Sequence, residues 1–240
     1  MTTLFVSDLH LDASRPCITE LFIEFMRDEA DEAQALYILG DLFEAWIGDD
    51  VADPAGDAVA LALAELHERG IPSFFIHGNR DFLLGDAWAR RARLTLLADP
   101  ALITIESQPT LLMHGDTLCI DDTGYQTFRT QVHAPEWQRN FLARSGAERN
   151  AFAAQAREES RRQTAIKESA IMDVNADAVI ATMRDHNVTR LIHGHTHRPA
   201  IHRFDIDCHP AERIVLGDWY EQGSVLRIDG ASVDLAVLPV

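Results

Sequence analysis

The stretch Ala35-Leu-Tyr-Ile-Leu-Gly-Asp41 is a run of apolar residues that ends abruptly at Gly40 and is followed by a carboxylate. A buried strand with an acid at its end places that acid where a sheet meets an open loop, which is where α/β proteins build sites. Such an acid can equally cap a helix or hold a turn. Other strand-like segments of this chain also end in acids, histidines or an asparagine. We therefore hypothesise that Asp41 lies at the centre of a two-metal site.

The totals predict one substantial core with an insertion. The chain has 240 residues, of which 47% are hydrophobic, which is enough for one core of ordinary size. It opens on a strand-like segment, and none of its apolar runs approaches the roughly 18 residues of a membrane span. Cys17, Cys119 and Cys208 lie far apart and in no metal-like spacing. We expect a cytoplasmic protein with reduced thiols.

The charge is strongly negative overall but unevenly distributed. The net charge of -17 argues against a nucleic-acid partner, which requires a basic surface. Residues 125–170 carry eight Lys or Arg and five Asp or Glu, a net of +3 that leaves -20 for the remainder. This basic segment is either a surface for an anion or a solvated helical face.

Strand-like and helix-like segments alternate through most of the chain, which favours an α/β fold. Strands are expected at residues 3–7, 35–39, 73–77, 102–105, 111–114, 189–193, 203–207, 213–216, 224–228 and 233–238. Helices are expected at 15–31, 57–69, 85–93 and 176–186. From 124 to 172 the strand pattern gives way to a polar, Arg-rich helical pattern. We read residues 1–123 and 173–240 as a sandwich-like α/β core and 124–172 as a helical cap inserted into it.

Five predicted strands are each followed by side chains that can bind metal. The first ends Ser7-Asp8-Leu9-His10, where an extended backbone would point Asp8 and His10 the same way. The other four strand ends read Gly40-Asp41, His77-Gly-Asn-Arg-Asp81, His114-Gly-Asp116 and His193-Gly-His-Thr-His197. Five such ends in order are improbable by chance.

The chemistry of these side chains indicates the type of metal. Carboxylate, imidazole and amide oxygen without thiolate suit a hard or borderline divalent ion such as manganese or zinc. Two ions roughly 3.5 to 4 Å apart can hold a hydroxide and neutralise a phosphate ester. With Asp41 and Asp8 as the only anionic ligands, two divalent ions would keep about two positive charges for hydroxide and phosphate. An acidic protein could thus bind an anionic substrate.

The order DxH, GD, GNxD, HGD and GHTH resembles the calcineurin-like metallophosphoesterase superfamily over nearly the whole chain outside the insertion. The resemblance implies a core of two packed sheets flanked by helices. It also implies one metal bound by Asp8, His10, Asp41 and His197, and a second bound by Asp41, Asn79, His114 and His195. His77 and His193 match no ligand position, and we expect them to be structural.

One position departs from the superfamily pattern. Most members have a histidine after the GN asparagine, where it assists the leaving group, but this chain has Arg80. A phosphate leaving group, with a second pKa of roughly 6, needs little help from an acid. Arginine could instead bind the phosphate through two hydrogen bonds. Arg80 therefore favours a diphosphate substrate.

Three longer stretches narrow the resemblance to the UDP-2,3-diacylglucosamine diphosphatase family of the bacterial lipid A pathway. They are Phe43-Glu-Ala-Trp-Ile-Gly-Asp-Asp50, His77-Gly-Asn-Arg-Asp-Phe82 and Arg157-Glu-Glu-Ser-Arg-Arg-Gln-Thr-Ala-Ile-Lys167. The family implies attack of water on the α-phosphorus at two manganese(II) ions, giving UMP and 2,3-diacylglucosamine 1-phosphate (lipid X). It implies substrate contacts by Asn79, Arg80, Asp122, Ser160, Thr164, Lys167 and His195, with Arg157 as an addition. Independently, Ser160, Thr164 and Lys167 are spaced i, i+4 and i+7, which places them on one helix face.

The apolar residues of the insertion admit two compatible readings. In one reading, Phe141, Leu142 and Phe152 simply pack two helices together. In the other, the apolar inner face of the cap receives two acyl chains, and further residues contribute to that face: Trp46, Phe82, Phe128, Ile171 and Met172. A lipid-linked substrate would bring the protein to the cytoplasmic face of the inner membrane as a peripheral protein, with the Arg-rich cap as the contact. No protein partner is implied. The rival functions are a phosphoesterase of the same core acting on soluble nucleotides or UDP-sugars, and a non-catalytic scaffold.

Overall fold

The computed structural model describes residues 2–166 and 173–239, apart from the side chains of residues 31 and 164–166. The strands are β1 (Thr3–Val6), β2 (Ala35–Leu39), β3 (Ser73–Ile76), β4 (Leu94–Leu96), β5 (Ala101–Ile105), β6 (Gln108–Met113), β7 (Arg190–His193), β8 (Ala200–Ile206), β9 (His209–Val215), β10 (Gly223–Asp229) and β11 (Ser232–Leu238). The helices are α1 (Pro16–Asp28), α2 (Pro54–Glu68), α3 (Asp86–Arg91), α4 (Thr123–Val132), α5 (Pro135–Leu142), α6 (Gly146–Ile166) and α7 (Ala176–Asp185).

The strands form two mixed sheets that pack face to face. One sheet has the order β11-β10-β1-β2-β3-β4 and the other β5-β6-β7-β9-β8. Alternation along β1 sends Phe5 into the layer between the sheets, where it clusters with Leu112 and Ile192 of the second sheet. Leu4 and Val6 point the other way and pack in one cluster with residues of α1 and α2. The period of two along each strand thus builds two apolar layers from one sheet.

The second sheet is covered on its outer face by α7. Leu111 and Leu191 of this sheet cluster there with Val179 and Met183 of the helix. Asn175 caps α7 by accepting hydrogen bonds from the N–H groups of residues 177 and 178. The expected α/β sandwich with flanking helices is confirmed.

Parallel pairing brings the functional strand ends to one edge of the sandwich. β1 pairs in parallel with β2, and β2 with β3, so that Val6 lies beside Ile38 and Leu39 beside Ile76. In the second sheet β6 pairs in parallel with β7, placing Met113 beside His193. The residues that follow these five strands therefore emerge together.

Most element positions agree with the sequence prediction, and the differences have simple causes. β4 was not predicted, because three residues are too few for a visible alternation. β8 and β9 begin earlier than predicted and are joined by a tight connection at residues 207–208, where polar residues conceal the strand pattern. The thiols of all three cysteines are free, as expected.

The insertion contains α4, α5 and α6, which we call the cap helices. The domain boundaries at 124 and 172 stay a prediction, and Lys167, Ile171 and Met172 lie outside the described residues. Within the described part of the chain, none of the helices combines the length and apolar character needed to cross a bilayer.

Candidate metal centre

The loops after β1, β2 and β7 place metal-capable side chains in an unusual backbone conformation. Asp8, His10, Asp41, His195 and His197 have φ angles of 54°, 49°, 52°, 66° and 53°, which lie in the left-handed region that non-glycine residues avoid. The expectation that an extended backbone aligns Asp8 with His10 is therefore wrong. Each residue instead turns its side chain inward from a left-handed turn. Strain of this kind, about 1 kcal/mol or more per residue, is typical of functional sites.

Hydrogen bonds between the two sheets fix the relative position of these loops. His114, which follows β6, places its Nδ1 2.9 Å from the carbonyl oxygen of Leu39 at the end of β2. The backbone N–H of His195 donates to Oδ2 of Asp8 at 2.9 Å, and Ser7 donates to the same oxygen at 2.6 Å. The second sheet is thereby joined to the first at the site itself.

Asp8, His10 and His197 form one compact group. Nε2 of His197 lies 3.3 Å from Oδ1 of Asp8 and 3.3 Å from Nε2 of His10. These three residues offer ligand atoms that all lie within 4.8 Å of one another. His10 and Asp8 are buried, whereas His197 is partly exposed. The group is thus shielded but can be reached from one side.

Asp41 lies between this group and a second one. Its Oδ2 is 3.8 Å from Nε2 of His10, and its Oδ1 is 3.7 Å from Nε2 of His114. Asn79 connects the second group, because its Oδ1 lies 3.0 Å from Nε2 of His114 and 2.9 Å from Nδ1 of His195. All seven residues predicted as metal ligands are therefore gathered at one place.

Asp8 also lies close to the second group. Asp8, Asp41 and His114 offer ligand atoms within 4.8 Å of one another, so both carboxylates border both groups. Asp41 nevertheless has one oxygen on each side, because its Oδ2 faces His10 and its Oδ1 faces His114. This position suits the shared role predicted for Asp41.

The site carries unsatisfied groups that a cation would satisfy. Oδ1 of Asp8 is buried, and although Nε2 of His197 lies 3.3 Å from it, it makes no hydrogen bond of ordinary geometry to a described residue. Burial opposes ionisation of Asp8, but its interaction with His197 and the charges of His114 and His10 hold the pKa of the carboxyl well below its usual value. Burial also opposes protonation of His114, yet Asp41, Asp8 and Asp116 raise its pKa to about 9. A buried cluster that demands positive charge fits divalent metal ions.

Asp81 supports the loops that carry two of the predicted ligands. Its Oδ2 accepts a hydrogen bond from the N–H of Leu42 at 2.7 Å, and its Oδ1 accepts one from Gly78 at 2.8 Å. Burial, and then the nearby charge of Asp41, raise the pKa of Asp81 to about 6. Gly78 is required here, because a Cβ at this position would lie 2.1 Å from Oδ1 of Asp41.

A large cavity of about 1170 Å³ opens from the metal-capable cluster. Its polar end is lined by His10, Asp41, Asn79, Arg80, His195 and His197. Another part of its lining consists of Phe82 of the core and of aromatic residues of the cap helices, which are Phe128, Trp137, Phe141 and Phe152. The cavity exceeds the roughly 300 to 1,000 Å³ of common small-molecule sites. It therefore has room for a large ligand that carries both charged and apolar parts.

The apolar residues of the cap both pack its helices together and line the cavity, and their predicted contact with acyl chains stays a prediction. The ring of Phe141 lies 5.3 Å from that of Phe152, which packs α5 against α6, and 4.8 Å from that of Trp137. The same three rings line the cavity. Trp46 also lines the cavity, and its ring lies 4.7 Å from that of Phe43 in a tilted arrangement. Leu142 differs, because its side chain is 40% exposed.

Six of the eight predicted substrate contacts line the cavity. Ser160 and Arg157 of α6 line it, as does Asp122, which also caps α4 by accepting from the N–H of Tyr125 at 3.1 Å. Arg157 forms an ion pair of 2.6 Å with Glu44 of the core. Thr164 belongs to α6, but its side chain lies outside the described part, as does all of Lys167. Their roles stay predictions.

The two histidines expected to be structural make backbone contacts. Nε2 of His77 lies 2.7 Å from the carbonyl oxygen of Leu84, and Nδ1 of His193 lies 2.8 Å from that of Gly194. Neither belongs to the groups of possible metal ligands among the described residues.

Sequence reasoning missed three side chains beside the site. Oε2 of Glu44 lies 3.1 Å from Nδ1 of His10. The rings of Tyr220 and Tyr125 lie 5.1 Å from that of His10 and 5.8 Å from that of His195, respectively. Glu44 lies only three residues after Asp41, and that proximity was the available signal. Neither Tyr125 nor Tyr220 belongs to one of the ligand motifs, so no local sequence pattern indicates their position beside the site.

Comparisons with known proteins agree with this arrangement. The model of the calcineurin-like phosphoesterase family matches residues 1–199. A UDP-2,3-diacylglucosamine hydrolase of Stenotrophomonas maltophilia (strain K279a) is 55% identical over 245 residues, covering 99% of each chain. Another protein of that name, from Xanthomonas axonopodis pv. citri (strain 306), is 54% identical and covers 99% of this chain and 100% of its own. The chain belongs to the UDP-2,3-diacylglucosamine hydrolase family.

Membership of the UDP-2,3-diacylglucosamine hydrolase family confirms the predicted superfamily and enzyme class. The protein is a metallophosphoesterase, a hydrolase of diphosphate bonds, rather than a scaffold. The family fold implies divalent metal ions, and the groups around Asp8 and Asp41 are the candidate residues for them.

Proposed function

We propose that the protein hydrolyses the diphosphate bond of UDP-2,3-diacylglucosamine at two manganese(II) ions. Water attacks the α-phosphorus, the bond from this phosphorus to the bridging oxygen breaks, and the products are UMP and 2,3-diacylglucosamine 1-phosphate. The observation that carries the proposal is the single cavity that joins a carboxylate and imidazole cluster to an aromatic surface. A soluble UDP-sugar would leave that aromatic surface unused.

The polar end of the cavity would hold the metal ions. Asp8, His10, Asp41 and His197 would bind one ion, and Asp41, Asn79, His114 and His195 the other. Oxygen and imidazole ligands without thiolate suit manganese. When bound, the two ions supply Lewis acidity, which polarises the phosphoryl oxygens and lowers the pKa of the attacking water. Asp41 contributes by setting the separation of the two groups, since each of its oxygens faces one of them.

Arg80 is the candidate for holding the diphosphate. It follows Asn79 directly, and its backbone N–H donates to Oδ1 of Asp41 at 2.8 Å. Its side chain lines the cavity, and its buried Nε makes no hydrogen bond to a described residue. A guanidinium with a spare buried donor suits a phosphate oxygen. Arg80 would orient the substrate and offset negative charge that develops on the leaving phosphate.

The remaining parts of the substrate would be divided along the cavity. Asp122, Arg157, Ser160, Thr164 and Lys167 would contact its polar parts together with Asn79 and His195. The acyl chains would lie against Phe82, Phe128 and the packed rings of α5 and α6. Each buried methylene adds about 0.8 kcal/mol, so long chains would dominate the binding free energy.

A substrate anchored in a lipid bilayer requires contact with that bilayer. We therefore extend the proposal to peripheral association with the cytoplasmic face of the inner membrane. Phe128 and Leu142 expose apolar side chains on the cap helices, and Arg139 and Arg144 are exposed near them in sequence. Apolar and basic side chains together favour an anionic lipid surface. Leu142→Asp should weaken co-sedimentation with phosphatidylglycerol vesicles, and unchanged binding would contradict this extension.

The substrate test compares two uridine diphosphates that differ in their acyl chains. With manganese present, UMP release from UDP-2,3-diacylglucosamine should be at least a hundredfold faster, by kcat/KM, than from UDP-N-acetylglucosamine. Equal rates would favour a nucleotide-sugar hydrolase and exclude the lipid-linked substrate. In ¹⁸O-labelled water the label should appear in UMP, whereas label in the sugar phosphate would place the attack on the β-phosphorus.

The metal part of the proposal is tested separately on purified protein. Metal analysis should find two manganese ions per chain after reconstitution and fewer in Asp41→Ala and His114→Ala. Arg80→Ala should retain the metal and lose turnover. Loss of manganese from Arg80→Ala would contradict the role given to the guanidinium.

A further inference from the structure

We propose that Glu44 is a positioning residue that fixes the orientation and tautomer of His10, and that Arg157 holds Glu44 for this purpose from the cap. The inference rests on the proposed metal site. It assigns to Arg157 a second role, which is to hold Glu44 of the core, in addition to its predicted contact with substrate.

Glu44 lies beside the ring nitrogen of His10 that points away from the cluster. Oε2 of Glu44 lies 3.1 Å from Nδ1 of His10. Nε2 of the same ring faces Oδ1 of Asp8 at 4.0 Å and Oδ2 of Asp41 at 3.8 Å. Neither Oε2 of Glu44 nor Nδ1 of His10 has another hydrogen-bond partner among the described residues. A carboxylate can only accept, so Glu44 favours the tautomer with hydrogen on Nδ1, which leaves the lone pair of Nε2 for a metal. Carboxylates that orient histidine ligands in this way strengthen metal binding.

The backbone around Glu44 is itself fixed to the loop that carries His10. The N–H of Glu44 donates to the carbonyl oxygen of Leu11 at 3.0 Å, and Leu11 pairs with Phe43 in a short parallel bridge. The N–H of Leu11 donates to the carbonyl oxygen of Leu42 at 2.9 Å. The backbone of Glu44 therefore cannot move away from that of His10 without breaking this pairing.

The second oxygen of Glu44 is held by the cap. Nη2 of Arg157, on α6, lies 2.6 Å from Oε1 of Glu44. The Glu44 side chain is only 13% exposed, so this pair is partly shielded from solvent. One carboxylate thus divides its two oxygens between a predicted metal ligand and a cap helix, which links the docking of α6 to the geometry of His10.

A different pair between α6 and the core provides a matched control. Nη1 of Arg149 donates to Oδ1 of Asp50 at 2.8 Å, and neither residue contacts His10. Both Glu44→Ala and Asp50→Ala remove a carboxylate that holds α6. Only Glu44→Ala also releases His10. Comparison of the two variants separates positioning of the ligand from docking of the cap.

The test measures manganese binding to metal-free protein by titration calorimetry. Wild-type protein should show two binding events. Glu44→Ala should weaken one of them by about 10- to 100-fold and leave the other unchanged. Glu44→Gln, which keeps a side-chain oxygen for Nδ1–H, should recover part of this loss, and Asp50→Ala should stay within twofold of the wild type at both. Arg157→Met should weaken the same event as Glu44→Ala, but by less.

A spectroscopic readout tests the tautomer directly. With zinc as a diamagnetic probe, long-range ¹H–¹⁵N spectra of the wild type should place the ring hydrogen of His10 on Nδ1. In Glu44→Ala the chemical shifts of the two ring nitrogens should change, while those of His114 stay in place.

The outcomes distinguish the inference from the proposed function. Equal weakening by Glu44→Ala and Asp50→Ala would overturn the positioning role, since docking of the cap would then explain both. Unchanged manganese constants in Glu44→Ala would overturn it as well. Wild-type protein that binds no manganese would instead overturn the proposed metal site and, with it, the inference.

Discussion

The carboxylate of Asp81 accepts a hydrogen bond from the backbone N–H of Leu42 at 2.7 Å, directly after Asp41. Its other oxygen accepts from Gly78, directly before Asn79, at 2.8 Å. A fully buried side chain that follows β3 therefore holds both the loop of Asp41 and the loop of Asn79. It acts on the spacing of two predicted ligands without facing the cavity itself.

Asp81→Asn should destabilise the protein and weaken metal binding. An amide in this place turns one N–H₂ group toward backbone donors, so at least one hydrogen bond is lost, at a cost of about 1 to 3 kcal/mol. Urea unfolding in the presence of a chelator measures the stability, and calorimetric titration with manganese measures the binding. Asp86→Asn, at the exposed start of α3, is the control and should change stability by less than about 0.5 kcal/mol. Wild-type stability in Asp81→Asn would show that these hydrogen bonds are dispensable.

Gly78→Ala should abolish metal binding, whereas Gly70→Ala should not. A Cβ at Gly78 would lie 2.1 Å from Oδ1 of Asp41 and 2.3 Å from its backbone nitrogen, so the Asp41 loop must move. Gly70 has a φ of +93° with no atom within 4 Å of the added Cβ, so Gly70→Ala introduces only backbone strain, about 1 kcal/mol. Metal content and unfolding free energy of the two variants check this contrast. Retention of two metal ions by Gly78→Ala would mean that the loop tolerates the shift.

Removing Asp50 should destabilise the docking of α6 more than removing its partner Arg149. The Arg149 side chain is 2% exposed and also donates to the carbonyl oxygen of Ile47 at 2.7 Å, whereas the Asp50 side chain is 66% exposed. Asp50→Ala leaves a buried guanidinium without its counter-ion, while Arg149→Met leaves only a solvated acid. Hydrogen exchange of the α6 amides should rise in both variants and be faster in Asp50→Ala. Arg184→Met, which breaks an exposed pair with Asp207, should leave α6 unchanged. The reverse order would place the main stabilisation in the packing of the Arg149 side chain.

The stability should fall at mildly acidic pH because of His133. Burial, and then the charge of Arg129, lower the pKa of His133 to about 4, against about 6.5 in the unfolded chain. Between pH 6.5 and pH 4 the unfolded chain therefore binds a proton that the folded chain does not bind. The free energy of unfolding decreases over this range as the pH falls and then levels off. Since the ring is only partly buried, we expect about 1 to 2 kcal/mol from this residue.

His133→Phe isolates this contribution from that of other titrating groups. Phenylalanine keeps the aromatic contact with Phe82, whose ring centroid lies 5.0 Å from that of His133, but cannot be protonated. Urea unfolding at several pH values should show a shallower pH dependence in His133→Phe than in the wild type. His67→Gln, on the exposed end of α2, should leave the slope unchanged. An identical slope in His133→Phe would exclude His133 as the cause.

The sequence predicted the gathering of the ligands because each follows a strand, and parallel strands end at one edge. That inference needs only the chain order and the apolar runs, as with Asp41 after β2 and Asn79 after β3. It failed where local conformation mattered. The left-handed φ angles of Asp8 and His10 are imposed by hydrogen bonds from their N–H groups to the carbonyl oxygens of Gly40 and Asp41. Such bonds join loops that are distant in sequence.

The basic insertion also shows that contacts between distant parts of the chain decide what the local sequence does not predict. Its excess of arginine was predicted to form an anion-binding or solvated surface, yet Arg129, Arg149 and Arg157 pair with Asp116, Asp50 and Glu44 of the core. No pattern within residues 125–170 marks which arginines turn inward, because their partners lie elsewhere in the chain. The choice depends on how the cap helices pack.

By itself, the sequence determined the sheet core and the set of metal-capable residues, since strand periodicity and residue chemistry are local properties, and its motif order resembled the phosphoesterase superfamily. Only the tertiary structure decided that Asp41 directs one oxygen toward each group, that Glu44 contacts His10, and that Arg157 reaches Glu44 from α6. These relationships are distances between atoms of different loops. Packing of the two sheets and the cap sets such distances, and chain order does not encode them in any local pattern.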